Sequence, residues 1–137
     1  MNLKIIYWSG TGNTKSMAEQ IKEGAVSAGA TVAIKEVSEA DVNDIEGYDV
    51  VALGCPSMGA EVLEESEFEP FIQSIESNVS GKKLALFGSY GWGDGLWMRE
   101  WSERMIKAGA ILVAEGLIVN ETPIGNDCKD FGKEIVK

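Results

Sequence analysis

Leu3-Lys4-Ile5-Ile6-Tyr7-Trp8 runs directly into Ser9-Gly10-Thr11-Gly12-Asn13-Thr14. From Thr14 to Ala28, small and apolar residues then return at every third or fourth position, at Met17, Ile21, Gly24, Ala25 and Ala28. The first segment is nearly continuously apolar, as a parallel strand buried on both faces must be. The last has the period of a helix packed on one side, and Gly29 supplies its stop. The same alternation continues outward from this unit. Val50–Leu53, Leu84–Phe87, and Ile111–Val113 together with Leu117–Val119 read as further buried strands. Thr31–Val37 alternates polar and apolar, which predicts an edge strand. Helical spacing recurs over Phe68–Ile75, over Trp97–Ala108 with Gly109 as terminator, and over Cys128–Val136. Strand and helix in strict alternation predict right-handed crossovers and an α/β fold, a parallel sheet between two layers of helices. Neither an internal repeat nor a Pro/Ser-rich linker divides the chain, so residues 1–137 are expected to form one domain.

Composition removes whole classes of chemistry. The chain has 22 acidic and 12 basic residues and a formal charge of −10. That excess repels nucleic acid and anionic membranes and favours a basic partner. It contains no histidine, which excludes Ser-His-Asp triads, His-ligated metals and imidazole acid–base catalysis. Its two cysteines, Cys55 and Cys128, are too few for a secreted disulfide scaffold and lack CxxC spacing. The start MNLKIIYW lacks the pattern of a signal peptide. No stretch approaches the roughly 18 to 20 apolar residues of a membrane span. A cytoplasmic protein is expected.

In open parallel sheets, ligands bind at the carboxyl ends of the strands, where strand order reverses. Three loops of this sequence fall there. Ser9-Gly10-Thr11-Gly12-Asn13-Thr14 carries short hydroxyl and amide side chains at a helix start, where free N–H groups converge. This is an anion site built from neutral donors, suited to a terminal phosphate. A tight strand-to-helix turn with an N-cap would use the same residues. The dinucleotide fingerprint G-x-G-x-x-G fails because Lys15 stands at its third glycine, and Walker A fails at Ser9 and Thr14.

The second loop reads Gly54-Cys55-Pro56-Ser57-Met58-Gly59-Ala60-Glu61. A phosphatase-type cysteine would need an arginine six residues on, but Glu61 occupies that place and would repel the phosphate. Cys55 therefore reads as a small buried residue. Met58 can lay a polarisable thioether on a flat ring, and Gly59 permits its peptide two orientations. A surface loop with Met58 folded onto the core is the alternative. The third loop, Gly88-Ser89-Tyr90-Gly91-Trp92-Gly93-Asp94-Gly95, sets two aromatics among glycines. It can offer a ring face and backbone N–H groups to a planar ligand, or Trp92 can fill the core.

At these residues the sequence resembles the short-chain flavodoxins of the clostridial type, over essentially the whole chain. The motifs are Tyr7–Thr14 (YWSGTGNT), Leu53–Gly59 (LGCPSMG), Leu63–Phe71 (LEESEFEPF) and Leu86–Gly95 (LFGSYGWGDG). No long-chain insertion separates Ile111 from Asn120. The resemblance implies a flavodoxin-like three-layer sandwich, a five-stranded parallel sheet in the order 2-1-3-4-5, and one non-covalent FMN. Ser9, Thr11, Gly12, Asn13 and Thr14, with Gly10 between them, would hold the phosphate. Met58 would pack on the inner ring face and Trp92 on the outer. Backbone around Ser89, Tyr90, Gly91 and Gly93 would meet the pyrimidine edge, and Glu61 would accept from the flavin N3–H. Pro56, Ser57, Gly59, Ala60 and Asn120 complete the expected contacts. Two positions depart from relatives: Pro56 cannot supply a hydroxyl that some of them give the phosphate, and Ala60 replaces their Asp or Ser.

The implied function is a low-potential one-electron carrier, not an enzyme, cycling between semiquinone and hydroquinone. Gly59 would turn its carbonyl to accept the N5–H of the semiquinone. Burial and nearby Glu61, Glu64, Glu65, Glu67 and Glu69 would disfavour the anionic hydroquinone. These acids also suit a solvated helix start and would steer basic redox partners of the ferredoxin type towards a monomer. The alternatives are a small FMN-dependent NAD(P)H:quinone or nitro reductase, a receiver-type module and a non-redox phosphate-ligand binder. The receiver lacks its acidic pair, because Tyr7-Trp8-Ser9 and Gly54-Cys55 stand there.

Overall fold

The computed structural model describes residues 1–137. In chain order the elements are β1 (Asn2–Tyr7), α1 (Asn13–Ser27), β2 (Thr31–Glu36), β3 (Val50–Gly54), α2 (Phe68–Ile75), β4 (Lys83–Tyr90), α3 (Leu96–Lys107), β5 (Ile111–Leu112), β6 (Leu117–Asn120) and α4 (Asp127–Ile135). Single 3₁₀ turns at Val37–Glu39, Val42–Ile45 and Glu76–Asn78 join them; no periodicity in the sequence announces these. No helix is long and apolar enough to cross a membrane.

Every strand pair is parallel, and the order is β2-β1-β3-β4-β5, with β6 also on β4. The alternating strand, β2, lies at the edge as its pattern predicts. The fifth position differs from the expected single strand. β5 pairs with Lys83 and Leu84, β6 pairs with Phe87 to Tyr90, and the two follow one another along β4. The break falls where Gly116 passes beneath Met98 of α3, so close that a Cβ would lie 2.6 Å from the sulfur. There the backbone follows the helix side chain and leaves the ladder. β4 is correspondingly longer than its apolar core suggests. Gly88, Ser89 and Tyr90 read as loop, yet β6 gives each a hydrogen-bonding partner strand.

Successive residues of the central strands face opposite layers, as the two-residue period requires. Leu3, Ile5, Val50, Ala52, Ala85 and Phe87 pack with Met17 and Ile21 of α1 and Phe131 and Ile135 of α4. Ile6, Val51, Leu53, Leu84 and Leu86 pack with Phe68 and Ile72 of α2 and Trp97 and Trp101 of α3. α1 and α4 approach until backbone meets backbone. A Cβ on Gly24 would collide with the Lys129 carbonyl, and one on Gly132 with that of Ile21.

Candidate functional site

β1 is flanked by β2 on one side and β3 on the other, so the chain leaves it in one direction and later returns in the opposite one. A cleft of about 330 Å³ opens at the carboxyl ends of the strands beside this reversal, within the usual size of small-molecule sites. All three loops contribute to it: Gly10, Thr11 and Asn13 after β1, Pro56, Ser57 and Met58 after β3, and Ser89, Tyr90, Gly91 and Trp92 at the end of β4. Trp8 and Glu121 also line it. Neither was anticipated from sequence. Trp8 read as the last residue of an apolar strand, and Glu121 carries no motif. It enters because β6 delivers it there, with φ +57° and its N–H on the Tyr90 carbonyl at 2.7 Å.

After β1, Ser9 acts on the loop itself. Its Oγ accepts the Gly12 and Lys15 amides at 3.1 and 3.2 Å. Gly12, at φ +98°, precedes α1 and offers no capping side chain of its own, so Ser9 holds the Lys15 amide of the first turn and leaves those before it open. The Asn13 and Thr14 amides together with the Thr11 and Asn13 side chains thus remain for an anion in the cleft. Thr14 is buried, and its hydroxyl shares a 2.9 Å hydrogen bond with that of Ser89, joining the first loop to the third. The Trp8 indole donates to Glu67 Oε1 at 3.1 Å.

After β3, Met58 and Val62 exchange both main-chain hydrogen bonds at 2.9 Å, closing a turn over Gly59, Ala60 and Glu61. Gly59 has φ +50° and Glu61 φ +56°. Met58 is half-buried in the cleft wall, and Gly59 and Ala60 are exposed at the turn. The Ser57 hydroxyl is buried without a partner in the chain, next to Pro56, which has no donor. Glu61 does not line the cleft. Its carboxylate packs behind Gly93 and borders a neighbouring cavity with Trp97, Trp101 and Arg104. One of its oxygens, Oε2, is buried and unpartnered. From β4, Trp92 is 57% exposed and is not a core residue, and its Nε1 donates to the Gly59 carbonyl at 3.2 Å. Asn120 supports the same loop from β6, with Nδ2 3.4 Å from the Tyr90 carbonyl.

The acidic run has mostly structural partners. Glu64 is 6% exposed and accepts the amides of Ser66, Glu67 and Phe68 at 2.8 to 2.9 Å, capping the start of α2. Burial alone would raise its pKa, but these bonds and the Ser66 hydroxyl outweigh it and hold the carboxyl below its ordinary value. Glu69 makes a two-point pair with Arg104, both contacts 2.7 Å, and that guanidinium holds its carboxyl low. Cys55 is fully buried, and desolvation pushes its thiol far up, so no thiolate is available for catalysis.

The cleft therefore pairs a helix start carrying two open amides and other neutral donors with a half-buried thioether and an exposed indole. That is a fit for a flat ligand carrying a terminal phosphate. Comparison with known proteins points the same way. The family model described as Flavodoxin matches residues 5–130. A flavodoxin of Clostridium beijerinckii is 53% identical over 97% of this chain and 98% of its own length. One from Megasphaera elsdenii is 44% identical, with 98% of each chain covered. The solution structure of the two-electron reduced M. elsdenii flavodoxin superposes with a TM-score of 0.91 over 98% of both chains.

Proposed function

This chain belongs to the flavodoxin family, and from that premise we propose how its own residues hold the cofactor. It is an FMN-binding electron-transfer protein, not an enzyme, and it exchanges electrons with redox partners. The small reductase weighed above is accordingly set aside. When bound, FMN supplies one-electron oxidation and reduction. Thr11, Asn13 and the first-turn amides of α1 would hold the phosphate, on a loop that Ser9 braces and Gly10 and Gly12 shape. Thr14 would contribute its amide, since its hydroxyl is shared with Ser89. Ser57 would take over where Pro56 has nothing to donate, because its buried hydroxyl lacks a partner. Met58 and Trp92 would grip the ring, with Trp8, Tyr90 and Gly91 closing the wall. Glu61, seated behind Gly93, and Asn120, on the Tyr90 carbonyl, would brace the backbone that meets the ring's polar edge.

Gly59 would present its carbonyl to a proton gained by the ring. Its turn is closed at Met58 and Val62, so the peptide can reorient without moving the strand. The residue adopts a positive φ that side chains resist. Met58 and Trp92 would shield the two faces of a bound ring from water, which would disfavour added negative charge there and favour a low potential.

The observation that carries this reading is the convergence of the open amides at the α1 start, Met58 and Trp92 on one cleft. Titration of FMN-free protein with FMN and with riboflavin tests it. One equivalent of FMN should quench flavin fluorescence with far higher affinity than riboflavin. Equal affinities would remove the phosphate site, and no uptake would remove the ring site. The charge of −10 supports basic redox partners of the ferredoxin type. With it we propose a cytoplasmic monomer in which residues 1–137 act as one unit.

A further inference from the structure

Four tryptophans occupy this chain, and three are tied to its body. The Trp97 indole donates to the Cys55 carbonyl at 3.2 Å, the Trp8 indole donates to Glu67, and Trp101 is buried in the core. Trp92 is the exposed one, and its indole N–H could be satisfied by water. It instead donates to a main-chain carbonyl 33 residues away, that of Gly59. Nothing else in the chain donates to that oxygen. Nor does packing fix this peptide: a Cβ built on Gly59 meets no atom within 4 Å. The turn is clamped at Met58 and Val62 but free at its tip, so the hydrogen bond from Trp92 decides where the Gly59 carbonyl points.

We propose that Trp92 is a positioning residue for this turn, a latch whose indole N–H holds the Gly59 carbonyl until a stronger claim on it arises. This rests on the reading of the cleft as the FMN site. Bound FMN would take up one electron from a redox partner and one proton from water, and would then offer an N–H that the Gly59 carbonyl could accept. For Gly59 to accept that N–H, its carbonyl must give up the Trp92 indole, which passes to water. No bond within the protein is made covalently or broken. One hydrogen bond is exchanged for another, and Trp92 opposes the exchange by the net worth of the bond it loses. Trp92 thus has two separable parts: a ring face, which acts on affinity and on all oxidation states, and a donor, which acts on the first electron alone. A second electron would arrive after the carbonyl had moved, so the donor would have no further effect.

FMN-loaded W92F and W92L separate the two parts. W92F keeps an aromatic wall and removes only the donor, whereas W92L removes both. In W92F the equilibrium constant for adding the first electron and proton should rise about three- to tenfold, the equivalent of one modest hydrogen bond. The constant for the second electron should stay within about twofold of wild type by the same measure. W92L should show the same rise in the first constant, with an additional loss of FMN affinity. If W92F leaves the first constant unchanged, or moves both constants together, Trp92 is a wall and the latch does not exist. A direct readout is hydrogen exchange of the Trp92 indole in wild-type holoprotein. It should be slower in the oxidised than in the fully reduced protein, and equal rates would overturn the proposal. Failure of wild type to bind FMN would instead remove the cofactor reading, an outcome the titration above detects on its own.

Discussion

Glu64 sits in a run of glutamates that reads as a solvated helix start, yet its carboxylate is buried and accepts three main-chain amides at the head of α2. Its pKa is held below the ordinary 4.5 despite its burial. A carboxyl with a lowered folded pKa stabilises the fold above its unfolded value and loses that contribution as pH falls through the folded one. Glu64→Gln should therefore reduce stability at neutral pH by about 1–3 kcal/mol, the cost of impairing a charged, hydrogen-bonded buried group. The difference from wild type should shrink below about pH 4, near the ordinary glutamate range. Urea unfolding at pH 7 and pH 3.5 checks both statements. At this scale the sequence supplied the donors of the first loop but not their duties. Ser9 and Thr14 read as phosphate ligands; the structure turns Ser9 Oγ to two amides of its own loop and Thr14 Oγ to Ser89. A side chain's hydrogen-bonding partner 75 residues away is a tertiary fact.

At the scale of elements, α1 and α4 pack through glycines. Gly24 was legible as part of a helix stripe, whereas Gly132 had no visible reason to be glycine until its neighbour, the Ile21 carbonyl, was seen. Gly132→Ala would normally favour a helix interior by about 1 kcal/mol. Here the new methyl has no room, and overpacking should instead destabilise by about 1–3 kcal/mol. A lower urea midpoint with an unchanged slope would record it, while a stabilised variant would mean that the helices separate easily. The helices were placed to within a residue because their apolar period is strong. The fifth sheet position was not: Ala114-Glu115-Gly116 interrupts its apolar run, but only Met98 packed over Gly116 shows that the two halves pair separately with β4. Tyr90 became strand for the complementary reason, its pairing with Asn120.

Across the whole molecule, the charge of −10 meets few internal cations. Arg104 answers Glu69 and Glu76 between α2 and α3, and Lys4 and Lys35 both meet Asp44, at 3.4 and 2.9 Å. Most other acids face solvent, leaving a net negative field. Electron exchange with a basic redox partner should slow steeply between about 0.05 and 0.5 M salt, where screening shortens from well over to below a typical interface spacing. Stopped-flow rates against ionic strength measure this; a flat dependence would leave the acids with solubility alone.

The alternation of apolar periods, the absence of histidine and the glycine-rich loops determined by themselves an α/β sheet with its site beyond the strand ends, because periodicity, side-chain chemistry and steric freedom are local properties. The tertiary structure decided which donors face the cleft and which brace it, that Glu61 lies behind Gly93, and that Trp92 holds Gly59. Those outcomes depend on which distant segments meet, and meeting is set by packing across the whole sheet.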